Sequence, residues 1–225
     1  MASKKQMVAV LMDRYGRTFS NELGLALHKN TPSPLFRLLC FALVSSARID
    51  AQLAMSTTKA LAQKGWTTVN KMHQSSWEER VEALHEAGYT RFQEKTATQL
   101  GELTHKLLVD YDGDLRKLRD AAQGKPKKIR KYLKEFKGIG ETGANIFLRE
   151  VQLVWTECYP FADKPALKAA ETLKLGKNAE KLAKRVEQDH YPRLVASLVR
   201  VQLSNSIDDV CKAAKNSEKA SITPR

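Results

Sequence analysis

Apolar side chains recur with the spacing of an α-helix along almost the whole chain, and this periodicity constrains the fold most. After Pro34, the positions i, i+3, i+4, i+7 and i+8 are Leu35, Leu38, Leu39, Ala42 and Leu43. We find no convincing strand-like alternation and no internal repeat, and short polar breaks separate the helical segments. The sequence therefore predicts an all-α fold made of many short helices.

Cap residues mark where several helices begin. Ser76, followed three residues later by Glu79, predicts a capping box at the start of a helix. Asp114 predicts the N-cap of a short helix, and Pro34 is typical of a first helical turn. The chain beyond Lys212 is polar, which predicts a loose tail.

The composition indicates an ordinary globular chain. It has 225 residues, of which 42% are hydrophobic, so it can bury a core, and it has no apolar run long enough to span a membrane. Its first residues lack the apolar core of a secretory signal. Cys40, Cys158 and Cys211 lie far apart, which favours reduced thiols over disulfides or a metal cluster. We expect an intracellular protein, cytoplasmic or nucleoid-associated, and nothing calls for an oligomer, so we expect a monomer.

Positive charge is concentrated in one part of the chain. Lys and Arg number 38 against 25 acids, a net charge of +13. The surplus is densest at Arg116, Lys117, Arg119, Lys125, Lys127, Lys128, Arg130, Lys131, Lys134 and Lys137. Within that stretch only Asp120 and Glu135 are acidic. A local basic block favours a polyanionic partner over a charge that serves solubility alone.

The basic block leads into a glycine-rich turn, Lys137-Gly138-Ile139-Gly140, between two predicted helices. We call residues 136–144 the hairpin. Its glycines allow a phosphate to approach the main chain, and the N–H groups there and at the start of the next helix form an anion-binding site. Ile139 is expected to point inward. The alternative is an ordinary turn between helices with glycine at the C-cap.

The hairpin is followed, about twenty residues later, by Tyr159-Pro160-Phe161-Ala162-Asp163. In this order and spacing the chain resembles the helix-hairpin-helix DNA glycosylases, in particular the endonuclease III branch. The resemblance extends over residues 30–175. It includes Pro34 to Asp50, similar to the family's helix and minor-groove loop, and Gly88 to Arg91, similar to its second loop.

The resemblance implies two helical lobes with a DNA-binding cleft between them. One lobe, resembling a six-helix barrel, is expected at 30–135 and carries both minor-groove loops. The second is expected to combine 1–29 with 136–212, including the hairpin and Asp163, and 213–225 is expected to be a flexible tail. The implied partner is double-stranded DNA that contains a damaged base.

The resemblance also assigns roles to individual residues, with Asp163 as the catalytic carboxylate. The phosphate-binding positions are Lys137, Gly138, Ile139, Gly140 and Thr142. The wedge or minor-groove positions are Ala47, Arg48, Tyr89 and Arg91. Tyr159 and Phe161 are expected at the base pocket, Lys164 is an accessory candidate, and the hairpin carbonyls are expected to suit a monovalent cation (Na⁺ or K⁺).

The chain departs from the family in three places. Thr142 occupies the position of the Schiff-base lysine of bifunctional members. Cys211 stands alone where cluster-bearing members have four cysteines, so no iron–sulfur cluster is implied. Ala47 occupies the position of the intercalating glutamine. We therefore expect a monofunctional enzyme that uses water as its nucleophile, with no required cofactor and no metal.

Several alternatives stay open from the sequence. Asp163 also fits the N-cap of a helix that has Pro165 in its first turn, and the two roles are compatible. Tyr89 also fits a half-buried residue that closes a helix, and Lys164 a phosphate contact or a solvated side chain. A non-catalytic protein that binds damaged or bent duplex is the second functional hypothesis. An abasic-site lyase with a non-standard lysine is the third.

Overall fold

The computed structural model describes residues 3–220, with side chains to residue 216. Within these residues the structure is helical without strands, which confirms the all-α prediction. The α-helices are α1 (Lys4–Tyr15), α2 (Phe19–Glu22), α3 (Pro32–Val44), α4 (Ala51–Gln63), α5 (Val69–His73), α6 (Trp77–Glu86), α7 (Gln93–Tyr111), α8 (Leu115–Ala121), α9 (Pro126–Leu133), α10 (Glu141–Val151), α11 (Lys164–Thr172), α12 (Ala179–Ala183), α13 (Tyr191–Leu203) and α14 (Ile207–Ala220). Short 3₁₀ turns occur at Leu27–Lys29, Thr156–Cys158 and Gln188–His190. None of the described helices is long and apolar enough to cross a membrane.

The chain divides into two compact units. The central unit is Ser20–Cys158, and the terminal unit combines the residues up to Phe19 with those from Tyr159 onward. This corrects the predicted boundary, because the hairpin belongs to the central unit and not to the lobe that carries Asp163. The physical reason is burial: within the central unit α10 packs on α3, and α9 packs on α8.

The core of the central unit is built around α3, whose sequence is apolar on nearly every face. Its side chains from Leu35 to Val44 are buried except for the partly exposed Arg37. A helix of this kind needs neighbours on all sides. It contacts α4, α7, α8 and α10. These contacts position the residues that follow α3 beside those that begin α10.

Polar contacts join the beginning of the central unit to its end. The carboxylate of Glu150, which is 5% exposed, accepts hydrogen bonds from the backbone N–H of Ser20 at 2.9 Å and its Oγ at 2.7 Å. Nε1 of Trp155 donates to Oδ1 of Asn30 at 3.2 Å. The two chain ends of this unit therefore lie close together, as is usual for a compact domain.

The terminal unit packs its helices around α13, which contacts α1 and α11, while α14 packs on α1. The expected tail is wrong for residues 213–220, because these belong to α14; the rest, 221–225, lies outside the described residues. Val210, Ala213 and Ala214 are buried, and their i, i+3, i+4 spacing gives α14 one apolar face. This apolar face is short and lies within a largely polar sequence, so the helix was not predicted.

Candidate nucleic-acid interface

The turn between α9 and α10 contains two glycines of different kinds. Gly138 has a φ of +91°, and a Cβ added there would lie 2.8 Å from Cδ of Gln99, so the conformation favours glycine. Gly140 has an ordinary φ of −90°, and no described atom lies within 4 Å of a Cβ added to it. Gly138 is therefore needed for the turn, whereas Gly140 leaves the backbone accessible from outside.

Ile139 holds the turn from the inside, as expected. It is 2% exposed, and its N–H donates to the carbonyl of the fully buried Phe136 at 2.9 Å. Within the described residues no side chain caps α10 at Gly140, and Thr142 is exposed in its first turn. The N–H groups at the start of a helix carry partial positive charge and suit an anion.

Ion pairs that the sequence pattern does not reveal neutralise part of the positive charge near the hairpin. The carboxylate of Glu141 accepts hydrogen bonds from Lys134 at 2.9 Å and from Arg130. The hydrogen bond from Lys134, and then the charge of Arg130, lower the pKa of the Glu141 carboxyl below its ordinary value. Lys137 is 67% exposed, but its Nζ lies 2.7 Å from Oε1 of Glu102. A phosphate that binds there contacts the backbone donors, and it competes with the carboxylates of Glu141 and Glu102 for these cations.

The solvent side of α9 keeps cations that have no acidic partner. Ile129 and Leu133 are fully buried and anchor the opposite side of the helix. Lys125, Lys127 and Lys131 are exposed, and none of them forms an ion pair with another described residue. This face matches the basic surface that the charge distribution predicts.

A cavity of about 320 Å³ lies in the central unit. Its wall includes Ala47 and Arg48 from the first predicted loop, Tyr89 from the second, and Gly138 from the hairpin. The resemblance assigns all three segments to DNA contact. The fold brings them to one place.

Sequence reasoning missed the other residues of this cavity. They are Leu43, Ser46, Phe92, Lys95, Thr96 and Gln99. Lys95 and Gln99 lie four residues apart near the start of α7, so they share one helix face. That spacing was the available signal, but it does not reveal which helix faces the hairpin.

Close packing at Gly143 brings the hairpin next to the first loop. A Cβ at this position would lie 2.6 Å from Oγ of Ser46 and 3.2 Å from the carbonyl oxygen of Ala42. Only glycine at position 143 therefore allows α10 to approach the end of α3 this closely. The distance between the hairpin and the Ser46–Arg48 segment depends on this contact.

The structure corrects the wedge assigned to Tyr89. Tyr89 is 2% exposed, and its hydroxyl accepts a hydrogen bond from Oγ1 of Thr96 at 3.2 Å and donates to the Val44 carbonyl at 3.5 Å. Burial raises the pKa of this hydroxyl, and the Thr96 hydrogen bond partly offsets the rise. A ring held in this way forms part of the cavity wall and does not project toward solvent.

The arginines of the two predicted loops are both exposed. Arg48 lies in the bend after α3 and lines the cavity, as does the exposed Lys95. The guanidinium of Arg91 lies 5.1 Å from the ring centroid of Phe92 and is not part of the cavity wall. Arg48 therefore joins Lys95 as a cation at the cavity, while Arg91 lies outside it.

In the terminal unit, Asp163 begins α11. It is 6% exposed, has extended backbone, and its Oδ1 accepts a hydrogen bond from the Ala166 N–H at 3.4 Å. Lys164 is exposed, and Phe161 is half-buried. The ring of Tyr159 packs edge-on against Tyr191, with centroids 5.2 Å apart. The N-cap role of Asp163 is confirmed, and the base-pocket roles of the two rings stay predictions.

The described residues contain no group of three or more His, Cys, Asp or Glu side chains able to hold a metal ion. Cys40 and Cys158 are buried, and burial raises the pKa of each thiol to about 12. Thiols with so high a pKa stay protonated and are poor metal ligands and nucleophiles at neutral pH.

Comparison with known proteins gives no further indication of family. No protein-family model matches the chain, and neither the curated proteins nor the solved structures contain a significant match.

Proposed function

We propose that this chain is a DNA-repair glycosylase that hydrolyses the N-glycosidic bond of a damaged or mismatched base in duplex DNA. The observation that carries the proposal is the cavity of the central unit. Residues from three chain segments, each interpreted on sequence as a DNA contact, line it together. The three segments are distant in the chain, so their position at one cavity depends on the fold and not on any single motif.

The central unit supplies DNA binding in this proposal. The open backbone at Gly140 and the N–H groups of the first turn of α10 receive a phosphate. Arg48 and Lys95 at the cavity, and the solvent side of α9, add positive charge along the backbone of the duplex. Such contacts position DNA without reading its sequence.

The terminal unit supplies the chemistry. The carboxylate of Asp163 stabilises positive charge that develops on the sugar and accepts a proton from the attacking water. The water oxygen bonds to C1′, the glycosidic bond breaks, and its electron pair leaves with the base, which takes up a proton. Capping of α11 fixes the direction of this carboxylate. Thr142 carries no amine, so the proposal uses no covalent intermediate.

A monovalent cation at the hairpin stays a prediction from the resemblance. The carbonyl of Phe136 accepts the N–H of Ile139 and keeps a second lone pair, with which it could coordinate such a cation. No step of the proposed reaction needs the ion.

A non-catalytic DNA-binding protein is the second candidate. Two observations favour it: Asp163 has a structural role as the N-cap of α11, and Tyr89 is buried where a wedge was expected. A lyase is the third, with the exposed Lys164 beside Asp163 as its candidate amine.

The test is incubation of the purified chain with duplexes that each hold one lesion: uracil, an oxidised pyrimidine, an alkylated purine or an abasic site. Strand breaks that appear only after hot alkali support the proposal and identify the base. Breaks without alkali, together with a covalent adduct trapped by borohydride, indicate a lyase. Tight binding without cleavage of any duplex indicates the non-catalytic protein.

A further inference from the structure

The terminal unit contains a small basic cavity that the proposed function does not use. Its volume is about 160 Å³, and the described residues that line it are Lys4, Lys5, Val8, Lys184 and Arg185. Four of the five are cations and none is acidic. The two lysines of α1 and the two basic residues that follow α12 are far apart in the chain.

These cations are not neutralised within the described part of the chain. No described acidic residue forms an ion pair with Lys4, Lys5, Lys184 or Arg185. Nε of Arg185 donates to the Leu175 carbonyl at 3.0 Å, which orients the guanidinium. Like charges around one cavity repel each other, and a bound anion removes that repulsion.

The position of two of the lysines is itself unfavourable. Lys4 and Lys5 occupy the first turn of α1, which contains no acidic residue. Positive side chains at a helix N-terminus are opposed by the helix dipole, which favours acids there. A capping box of Ser3 and Gln6 satisfies backbone N–H groups at this terminus but adds no negative charge, which an external anion supplies.

We propose that this cavity binds a backbone phosphate of nucleic acid. The size of the cavity and its ring of cations suit a phosphate. No aromatic ring lines it, and its charged side chains only donate hydrogen bonds, so it has little means to read a base or a sugar. Its apolar lining residue, Val8, is 8% exposed, so the site lacks the exposed apolar side chains of a membrane-surface helix. The composition of the unit agrees, with 17 Lys and Arg against 9 Asp and Glu.

This inference rests on the DNA binding in the proposed function but not on its chemistry. The experiment therefore uses the full chain and an undamaged duplex of about 20 base pairs, with fluorescence anisotropy measured over a series of salt concentrations. The test variant is Lys5→Gln with Lys184→Gln. The matched control is Lys212→Gln with Lys215→Gln, which removes the same charge from exposed positions of α14.

We expect the slope of log K against log salt to become shallower by about 0.9 for each phosphate that the test variant no longer neutralises. The control is expected to keep the wild-type slope. Lys5→Arg with Lys184→Arg keeps both charges and is expected to retain it as well. Thermal melting of all variants identifies any loss of fold.

Three results overturn the inference. The first is an equal slope for the test and control variants. The second is loss of pyrophosphate binding, measured by calorimetry, with the duplex slope unchanged, which indicates a site for small free anions. The third is loss of co-sedimentation with phosphatidylserine vesicles, again with the duplex slope unchanged, which indicates a membrane surface. A shallower slope in a chain that excises no base supports this site and rejects the glycosylase.

Discussion

The central unit brings Ala47, Arg48, Tyr89 and Gly138 from distant parts of the chain to the wall of one cavity. The terminal unit presents Asp163, whose position is already explained by capping α11. In the central unit, tertiary structure adds an observation that the sequence does not contain. In the terminal unit, it repeats a local pattern. The proposed DNA binding therefore rests on geometry, and the proposed chemistry rests on one side chain, so the two need separate variants.

The largest expected effect separates catalysis from capping at Asp163. Asparagine caps a helix about as well as aspartate but cannot accept a proton from water. Asp163→Asn is therefore expected to lower base excision by about 10²- to 10⁴-fold in single-turnover assays, with DNA binding and thermal stability unchanged. Asp163→Ala, the control for capping, is expected to lose about 1 kcal/mol of unfolding free energy as well. Full activity in the asparagine variant leaves Asp163 with a structural role alone.

The next effect compares the two glycines of the hairpin. Gly140→Ala is expected to lower duplex affinity by roughly tenfold while the unfolding free energy stays nearly constant, because a methyl group there meets only an approaching phosphate. Gly138→Ala is expected to lose about 1–2 kcal/mol of stability, because φ is +91°. Denaturant titration and anisotropy measure the two quantities. Unchanged duplex affinity in a stable Gly140→Ala protein would mean that no phosphate binds at the hairpin.

A smaller effect is expected at the solvent side of α9. Lys127→Gln with Lys131→Gln is expected to make the slope of log K against log salt shallower by about 0.9 for each phosphate that these lysines neutralise. Lys59→Gln with Lys71→Gln removes the same charge from exposed positions on α4 and α5. If both double variants change the slope equally, DNA binding depends on net charge and not on this face.

The smallest expected effect concerns Glu141. Its carboxylate engages Lys134 and Arg130, so Glu141→Gln releases two cations beside the proposed phosphate site. Duplex affinity is expected to rise about two- to fivefold at moderate salt, in keeping with the modest strength of exposed ion pairs. Glu82→Gln, exposed on α6, serves as the control. A fall in affinity at Glu141→Gln means that the two ion pairs organise the site.

Local signals predicted the parts of the fold that depend on a few neighbouring residues. The capping box at Ser76 and Glu79 is present, with hydrogen bonds of 3.1 and 2.7 Å. Asp114 and Asp163 cap their helices. Each of these interactions spans at most four residues, so the sequence contains all of its partners.

Features that depend on distant partners were missed. The hairpin was assigned to the wrong lobe because its burial depends on contacts such as that of Gly143 with Ala42. Tyr89 was assigned as a wedge, with a half-buried position as the alternative, and its full burial was missed because its partners, Val44 and Thr96, come from other helices. For the same reason, the helical pattern of α7 did not show that Lys95 faces the cavity.

The hydrogen bonds between Ser20 and Glu150 and between Asn30 and Trp155 affect the order in which the two units fold during translation. Translation at ~5–20 residues per second reaches α13 about 10–35 s after α1 has been made. In that interval the central unit emerges with both of its ends able to pair, so it is expected to fold first. The apolar side of α1, including Leu11, stays unburied until α13 and α14 have been made. The nascent chain therefore carries an unpartnered amphipathic helix ahead of a finished domain, which makes its amino-terminal segment a natural substrate for chaperones.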